Sequence, residues 1–217
     1  MAKSARKTAK TAKAKPRPRT RPSAARPDGD PKAALREALL RLVAADGWRK
    51  LSYAEIAKDA GLGLATAYEA YPSKAAILTG IGRNTDARLF ASLEEDPLDG
   101  SVKDRLFDLT MRRFDVLNEH KQAYAALMWE LPHTPVEAGC LALQLRRSLG
   151  NMLEAAGVSA SGLRGAVRIE GLGAIYACAL RVWLKDETAD LSKTMAELDK
   201  RLGQVERWIG LTRRGTA

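Results

Sequence analysis

From Asp30 onward, apolar residues recur three and four positions apart, and no stretch sustains strict alternation. A side chain returns to the same face of an α-helix every 3.6 residues, whereas a half-buried strand needs a period of two. This regularity restricts the chain to helices packed on helices. Leu35, Leu39, Leu42 and Val43 share one face, and Leu172, Ile175, Tyr176, Ala179, Leu180 and Trp183 share another. Leu191, Met195, Leu198, Leu202, Val205 and Ile209 follow a heptad-like seam. No internal repeat is present. The expected class is all-α, with about nine helices.

Local start and stop signals divide this pattern. Asp30 followed by Pro31 is an N-cap with a first-turn proline, and Gly47 ends that helix. Ser52 with Glu55 is a capping box opening a short helix over 53–60, and Gly61 turns the chain into a third helix ending at Ala70. Pro72-Ser73 breaks it, and Ser73 caps a fourth helix from Lys74. Ser101 with Asp104 resembles another capping box. Lys121–Leu131 reads as a helix stopped by Pro132, and Thr134-Pro135-Val136-Glu137 as a start signal for one reaching about Ala156. Helices over 163–185 and 191–211 complete the chain.

Charge is unevenly placed. The 217 residues carry a formal net charge of +10, and residues 1–27 hold ten Lys or Arg with no Asp or Glu. The remainder is neutral, so the basic balance describes an appendage, which excludes a uniformly basic protein of histone-like type. After Met1 no Val, Ile, Leu, Phe, Trp or Tyr occurs before Leu35. Such a segment has no apolar surface to offset ordering entropy and is expected to be disordered alone. Prolines at 16, 18, 22 and 27 argue against an amphipathic targeting helix. Alternating Pro and Arg from Pro16 to Pro22 holds Arg17, Arg19 and Arg21 on an extended backbone, a shape suited to an A·T-rich minor groove, beside the plainer reading of a solubilising extension.

Residues 52–71 carry the main functional signal. Ala57, four residues before Gly61, lets the second helix approach the first, while Ile56, Ala60, Leu62 and Ala67 supply a small inner core. Two short helices joined in this way form a helix-turn-helix, whose second helix, 64–70, would enter a major groove. The run from Leu51 to Lys74, with Ile56-Ala57, Gly61, Thr66, Tyr68, Tyr71 and Ser73-Lys74, resembles the DNA-binding region of TetR/AcrR-type transcriptional regulators. The resemblance covers residues 34–80. It implies a homodimer, usually a repressor, whose C-terminal domain binds a small molecule and shifts the two recognition helices out of register with adjacent major grooves. It also implies that Ser52 and Lys74 hold phosphates, that Thr66 and Tyr68 contact phosphate or base edges, and that Leu64 and Ala65 face bases.

The chain departs from that pattern at Gly63, where Ser is usual, at Ala70, often His, and at Tyr71, usually Phe. Glu69 places an acid on the recognition helix. Residues 28–80 hold seven basic and seven acidic side chains, so this region has no net charge with which to release counterions. The arm is suited to correct that.

In the C-terminal part, Phe107, Met111, Phe114, Tyr124, Met128, Trp129 and Tyr176 are candidates to line an apolar effector cavity, although the same spacing suits an ordinary core. By the resemblance, the last two helices would form a four-helix dimer bundle through Leu172, Tyr176, Leu180, Leu198, Leu202 and Val205, although both stripes equally suit their own subunit's core. His120, His133 and Cys140 lack metal-ligand spacing, and no phosphate loop or nucleophile–base motif occurs. Neither an enzyme nor a cofactor is expected. The uncharged run Gly171–Leu180 is about half a membrane span. Cys140 and Cys178, far apart, suit a reduced cytoplasm.

The expected organisation is therefore a basic arm over 1–29, a helix-turn-helix domain over 30–78, and a ligand-binding and dimerisation domain over 79–217. The expected function is ligand-responsive repression by a bacterial cytoplasmic homodimer on double-stranded operator DNA, with a small apolar effector. A different class remains beside it. Residues 183–202 loosely resemble the C-terminal segment of ubiquinone-biosynthesis accessory proteins, which share this fold, bind lipid and have lost DNA binding.

Overall fold

A computed structural model describes residues 29–214, with side chains through Gln204. Arg17, Arg19 and Arg21 of the arm, and the Val205 side chain, lie outside the described residues. Those residues form nine α-helices and one 3₁₀ turn, with no strand among them. The helices are α1 (Pro31–Asp46), α2 (Tyr53–Asp59), α3 (Leu64–Ala70), α4 (Lys74–Glu95), α5 (Val102–Asn118), α6 (Lys121–Glu130), α7 (Pro135–Ala155), α8 (Gly162–Trp183) and α9 (Ser192–Arg214), with the 3₁₀ turn at Leu131–His133. No described helix is long and apolar enough to cross a membrane.

Most boundaries follow from capping. The Asp30 carboxylate accepts from the Lys32 and Ala33 N–H groups, and both capping boxes form. Thr134 differs. Its hydroxyl turns back toward the Leu131 carbonyl and caps nothing, leaving Pro135 to start α7 by its fixed φ alone. α8 begins at Gly162, whose preceding Ser161 also makes no side-chain cap bond.

Two apolar clusters hold these helices. The first gathers Leu35, Leu39, Val43, Trp48, Ile56, Ala57, Ala67 and Ile77 from α1 to α4, together with Ala123 and Leu127 of α6. The second joins Leu89, Leu109, Phe114, Met152, Leu172, Tyr176, Trp183 and Leu198 from α4, α5, α7, α8 and α9. α4 contributes to both, and Tyr124 of α6 packs against both. These two helices therefore connect the helix-turn-helix to the rest of the chain.

A buried polar hub interrupts the second cluster. Arg113 of α5 pairs with Asp86 of α4, donates to Ser148 Oγ of α7 at 2.7 Å, and reaches the Tyr176 hydroxyl of α8 at 3.3 Å. Gln144 and Ser148 of α7 also donate to Asp86. The isolated charges would be costly in an apolar core, and this shell of partners offsets that cost.

Candidate nucleic-acid interface

Ser52 caps α2. Its hydroxyl accepts from the Glu55 N–H at 3.2 Å, and the Glu55 carboxylate accepts from the Ser52 N–H and hydroxyl at 2.8 and 2.7 Å. These bonds hold the Glu55 carboxyl below its ordinary range, so it is ionised at neutral pH. A phosphate at Ser52 would therefore meet a carboxylate, and the Ser52 hydroxyl proton is already committed to Glu55. The capping pattern thus works against the phosphate role that the resemblance implies for Ser52.

Between α2 and α3 the chain reverses at Gly61, with φ +69°, a conformation that a Cβ disfavours. The Leu62 N–H then donates to the Ala57 carbonyl at 2.9 Å. Ala57 and Ala67 are buried, which lets the two helices pack closely. Relative to the inward Ala67, helical geometry turns Ala65 and Tyr68 outward, while Leu64, at the first position of α3, is exposed although it lies only about 60° from Ala67. Leu64 is 57% exposed and Tyr68 62%, and Ala65 and Glu69 are also exposed. Thr66 is half-buried. Leu64, Ala65 and Tyr68 thus form one outward strip on α3.

Tyr71 fixes the far end of α3. Its carbonyl accepts from the Tyr53 hydroxyl at 2.7 Å, and its own hydroxyl accepts from Arg36 at 3.1 Å. The ring lies so close to α4 at Gly80 that any Cβ there would collide with it. The aromatic at this position is thus a wedge between helices.

Lys74 is not placed as the resemblance implies. Its ammonium donates to the carbonyls of Trp48 and Leu51, at 2.9 Å each, and lies 4.1 Å from the centre of the Trp48 ring. Burial pushes its pKa down, opposed by the carboxylates of Glu137 and Glu130. The side chain is spent on internal bonds, so a phosphate contact would require breaking them. Lys32, Arg41, Arg49, Lys50 and Lys58 are the exposed cations of α1, α2 and the turn between them, and of these Arg41 pairs with Asp59.

The candidate effector residues do not converge on one cavity. Phe114 and Tyr176 stack at 5.2 Å, Trp183 stacks on Phe114 at 5.7 Å, and Tyr124 meets Trp183 edge-on, so these rings fill the core. Met111 is buried in the same cluster. Met128 packs against the helix-turn-helix cluster instead. Phe107 borders an open groove of about 400 Å³ with Met195 and Lys103. Trp129 is 83% exposed. It lies five residues after Tyr124, about 140° around α6, which turns it to solvent. A larger cleft, about 890 Å³, opens between α1, the start of α6 and the α8–α9 connection, and its lining includes Glu37, Arg41, His120, Lys121 and Asp186. None of the seven candidates lines it.

The dimer seam is corrected in the same way. Leu172, Tyr176, Leu198 and Leu202 are buried within the chain's own core, and Leu180 is half-buried. The described part of each stripe, through Leu202, faces inward because it has the larger area to bury. Leu163 and Val167 of α8 are exposed, on a face shared with Gly171 and Ala174. Among the described residues, no group of three His, Cys, Asp or Glu could hold a metal.

No family model matches the chain, and no curated protein matches it. Solved structures do. A TetR transcriptional regulator from Nitrosomonas europaea superposes with a TM-score of 0.65 at 20% identity, covering 81% of this chain and 98% of that one. A TetR transcriptional regulator from Rhodococcus sp. RHA1 gives 0.56 at 17% identity, covering 80% and 94%. At such identities the likeness is one of fold, and the chain has the all-helical TetR fold.

Proposed function

We propose that the chain is a transcriptional regulator of TetR/AcrR type that binds operator DNA as a homodimer in a bacterial cytoplasm and releases it when a small molecule binds the C-terminal helices. The outward strip Leu64–Ala65–Tyr68 carries this reading. It projects the large side chains of Leu64 and Tyr68 into solvent from a well-packed helix-turn-helix. Such residues reach thymine methyls and backbone oxygens in a major groove. The fold likeness to regulators supports the same reading.

In this scheme the arm supplies most of the electrostatic affinity and α3 supplies the selection. The arm residues Arg17, Arg19 and Arg21 follow an adjacent minor groove. The exposed α8 face at Leu163, Val167, Gly171 and Ala174 supplies the subunit contact. The aromatic core around Phe114 and Tyr176 opens for an apolar effector.

The test is duplex DNA binding by the full chain to its own promoter region, at several salt concentrations. A steep fall of affinity with salt and a preference over unrelated duplex are expected. No affinity at low salt would end the DNA-binding reading, and lipid co-purifying with such a protein would favour the lipid-binding class.

A further inference from the structure

The α2–α3 unit enters and leaves through one node. Its incoming chain is the turn Gly47–Leu51, and its outgoing chain passes Tyr71 to Lys74. Lys74 joins the two by donating to Trp48 and Leu51. Glu130, the last residue of α6, reaches the same node. Its carboxylate accepts from the Arg49 N–H at 2.8 Å. Its other oxygen occupies the space that a Cβ on Gly47 would need, and Gly47 itself has φ +81°. At its opposite end α6 is tied to the C-terminal helices. Lys121 donates to the Asp186 carbonyl and lies 5.4 Å from the centre of the Trp183 ring.

We propose that Glu130 is a positioning residue for DNA binding, which clamps the Gly47–Leu51 turn to α6 and so sets the orientation of the recognition helix relative to the C-terminal helices. This inference rests on the DNA-binding reading. Two recognition helices must meet half-sites about one helical turn apart. Their orientation on the body matters only when both engage. Glu130 is bonded at the Gly47–Leu51 turn and not to the outward strip of α3, so its effect is on geometry and not on contacts. Arg49 is exposed, so water can replace the lost acceptor and the altered chain still folds.

The experiment uses the full chain and duplexes selected by it from a random pool, either with both half-sites or with one. Glu130→Ala is expected to weaken two-half-site binding about tenfold, the scale of one lost charge-assisted hydrogen bond, and to leave single-half-site binding unchanged. Glu130→Gln keeps an oxygen acceptor at the same reach and should match the parent. Amide hydrogen exchange over 47–51 should quicken in Glu130→Ala, while α5 stays protected. Equal losses on both duplexes, no loss on either, or unchanged exchange at the turn would overturn the proposal. A Tyr68→Ala chain that binds like the parent would instead show the recognition helix to be misassigned, a selection that yields no preferred duplex would end the reading of operator binding, and in either case the exchange measurement would still decide whether Glu130 clamps the turn.

Discussion

Lys74 donates its ammonium to the Trp48 carbonyl at 2.9 Å while standing 4.1 Å from the centre of the same residue's ring. Trp48 is 2% exposed, so the pair closes the base of the helix-turn-helix. A lysine that held a phosphate would lower the salt slope of DNA binding by about 1 when removed. Lys74→Met should leave that slope unchanged and instead cost about 2 kcal/mol of folding stability, the scale of charged hydrogen bonds lost. Urea unfolding and a salt titration of duplex binding measure the two effects. A reduced slope with unchanged stability would return Lys74 to the phosphate role.

Tyr68 has the opposite profile. It is 62% exposed, and the Tyr53 and Tyr71 contacts that brace α3 do not involve its hydroxyl. Tyr68→Ala should weaken binding to the selected duplex by about 1–3 kcal/mol and leave the unfolding midpoint in place. Binding to unrelated duplex should barely change. Equal loss on both duplexes would mean that Tyr68 touches only the backbone.

The contrast between these residues marks what local sequence can carry. The capping boxes at Ser52 and Ser101 span four residues, and Gly61 needs its φ for a turn of its own, so neighbours alone announce them. The packing of α6 against α1, which takes Ala123 and Leu127 into the helix-turn-helix cluster, depends on chain more than 70 residues away. The exposure of Trp129 follows from that docking, and the internal role of Lys74 from carbonyls 23 and 26 residues earlier. The inward turn of Leu172 and Leu198 depends on the second cluster, since periodicity finds a stripe without naming its partner. One signal was present. Arg113 falls on the Leu109–Leu117 stripe and Asp86 on the Leu78–Leu89 stripe, and a charge on an apolar stripe asks for a buried partner.

That pair yields a third expectation. Arg113 is 5% exposed and Asp86 8%, and Asp86 also accepts from Gln144 and Ser148. Removing one partner leaves a buried charge, so Arg113→Leu should destabilise the fold by about 3–5 kcal/mol. Arg113→Met together with Asp86→Leu should recover most of that loss. Urea midpoints at constant m-value measure both. A double variant no better than the single one would show that the hub's remaining polar groups, and not the charge, set the cost.

The arm can be tested apart from the fold. A chain beginning at Pro27 loses ten basic residues and no acidic ones. Each phosphate contact contributes about 0.9 to the log–log salt slope on duplex DNA, so the shortened chain should show a clearly shallower slope. Its preference for selected over unrelated duplex should persist, because the α3 strip is intact. Loss of preference with an unchanged slope would place selection in the arm.

Asp186 sets the acid limit of the α8–α9 connection. Burial alone would raise its carboxyl pKa, yet four hydrogen bonds outweigh burial and hold it well below the usual range. Oδ1 accepts from the Thr188 N–H and hydroxyl at 3.1 and 2.5 Å, and Oδ2 from those of Thr194 at 2.8 Å each. A lowered carboxyl contributes stability that is complete above the unfolded value, about 3.9, and is lost as pH falls through the lower folded value. Asp186→Asn keeps one acceptor oxygen and removes the charge and the other. Its deficit against the parent in urea unfolding should be constant from about pH 7 to about pH 5 and shrink steadily below about pH 4. A deficit that stays constant through the acid range would mean that the asparagine is penalised by its shape, with its amide nitrogen facing the Thr194 donors, and that the carboxylate's charge contributes nothing.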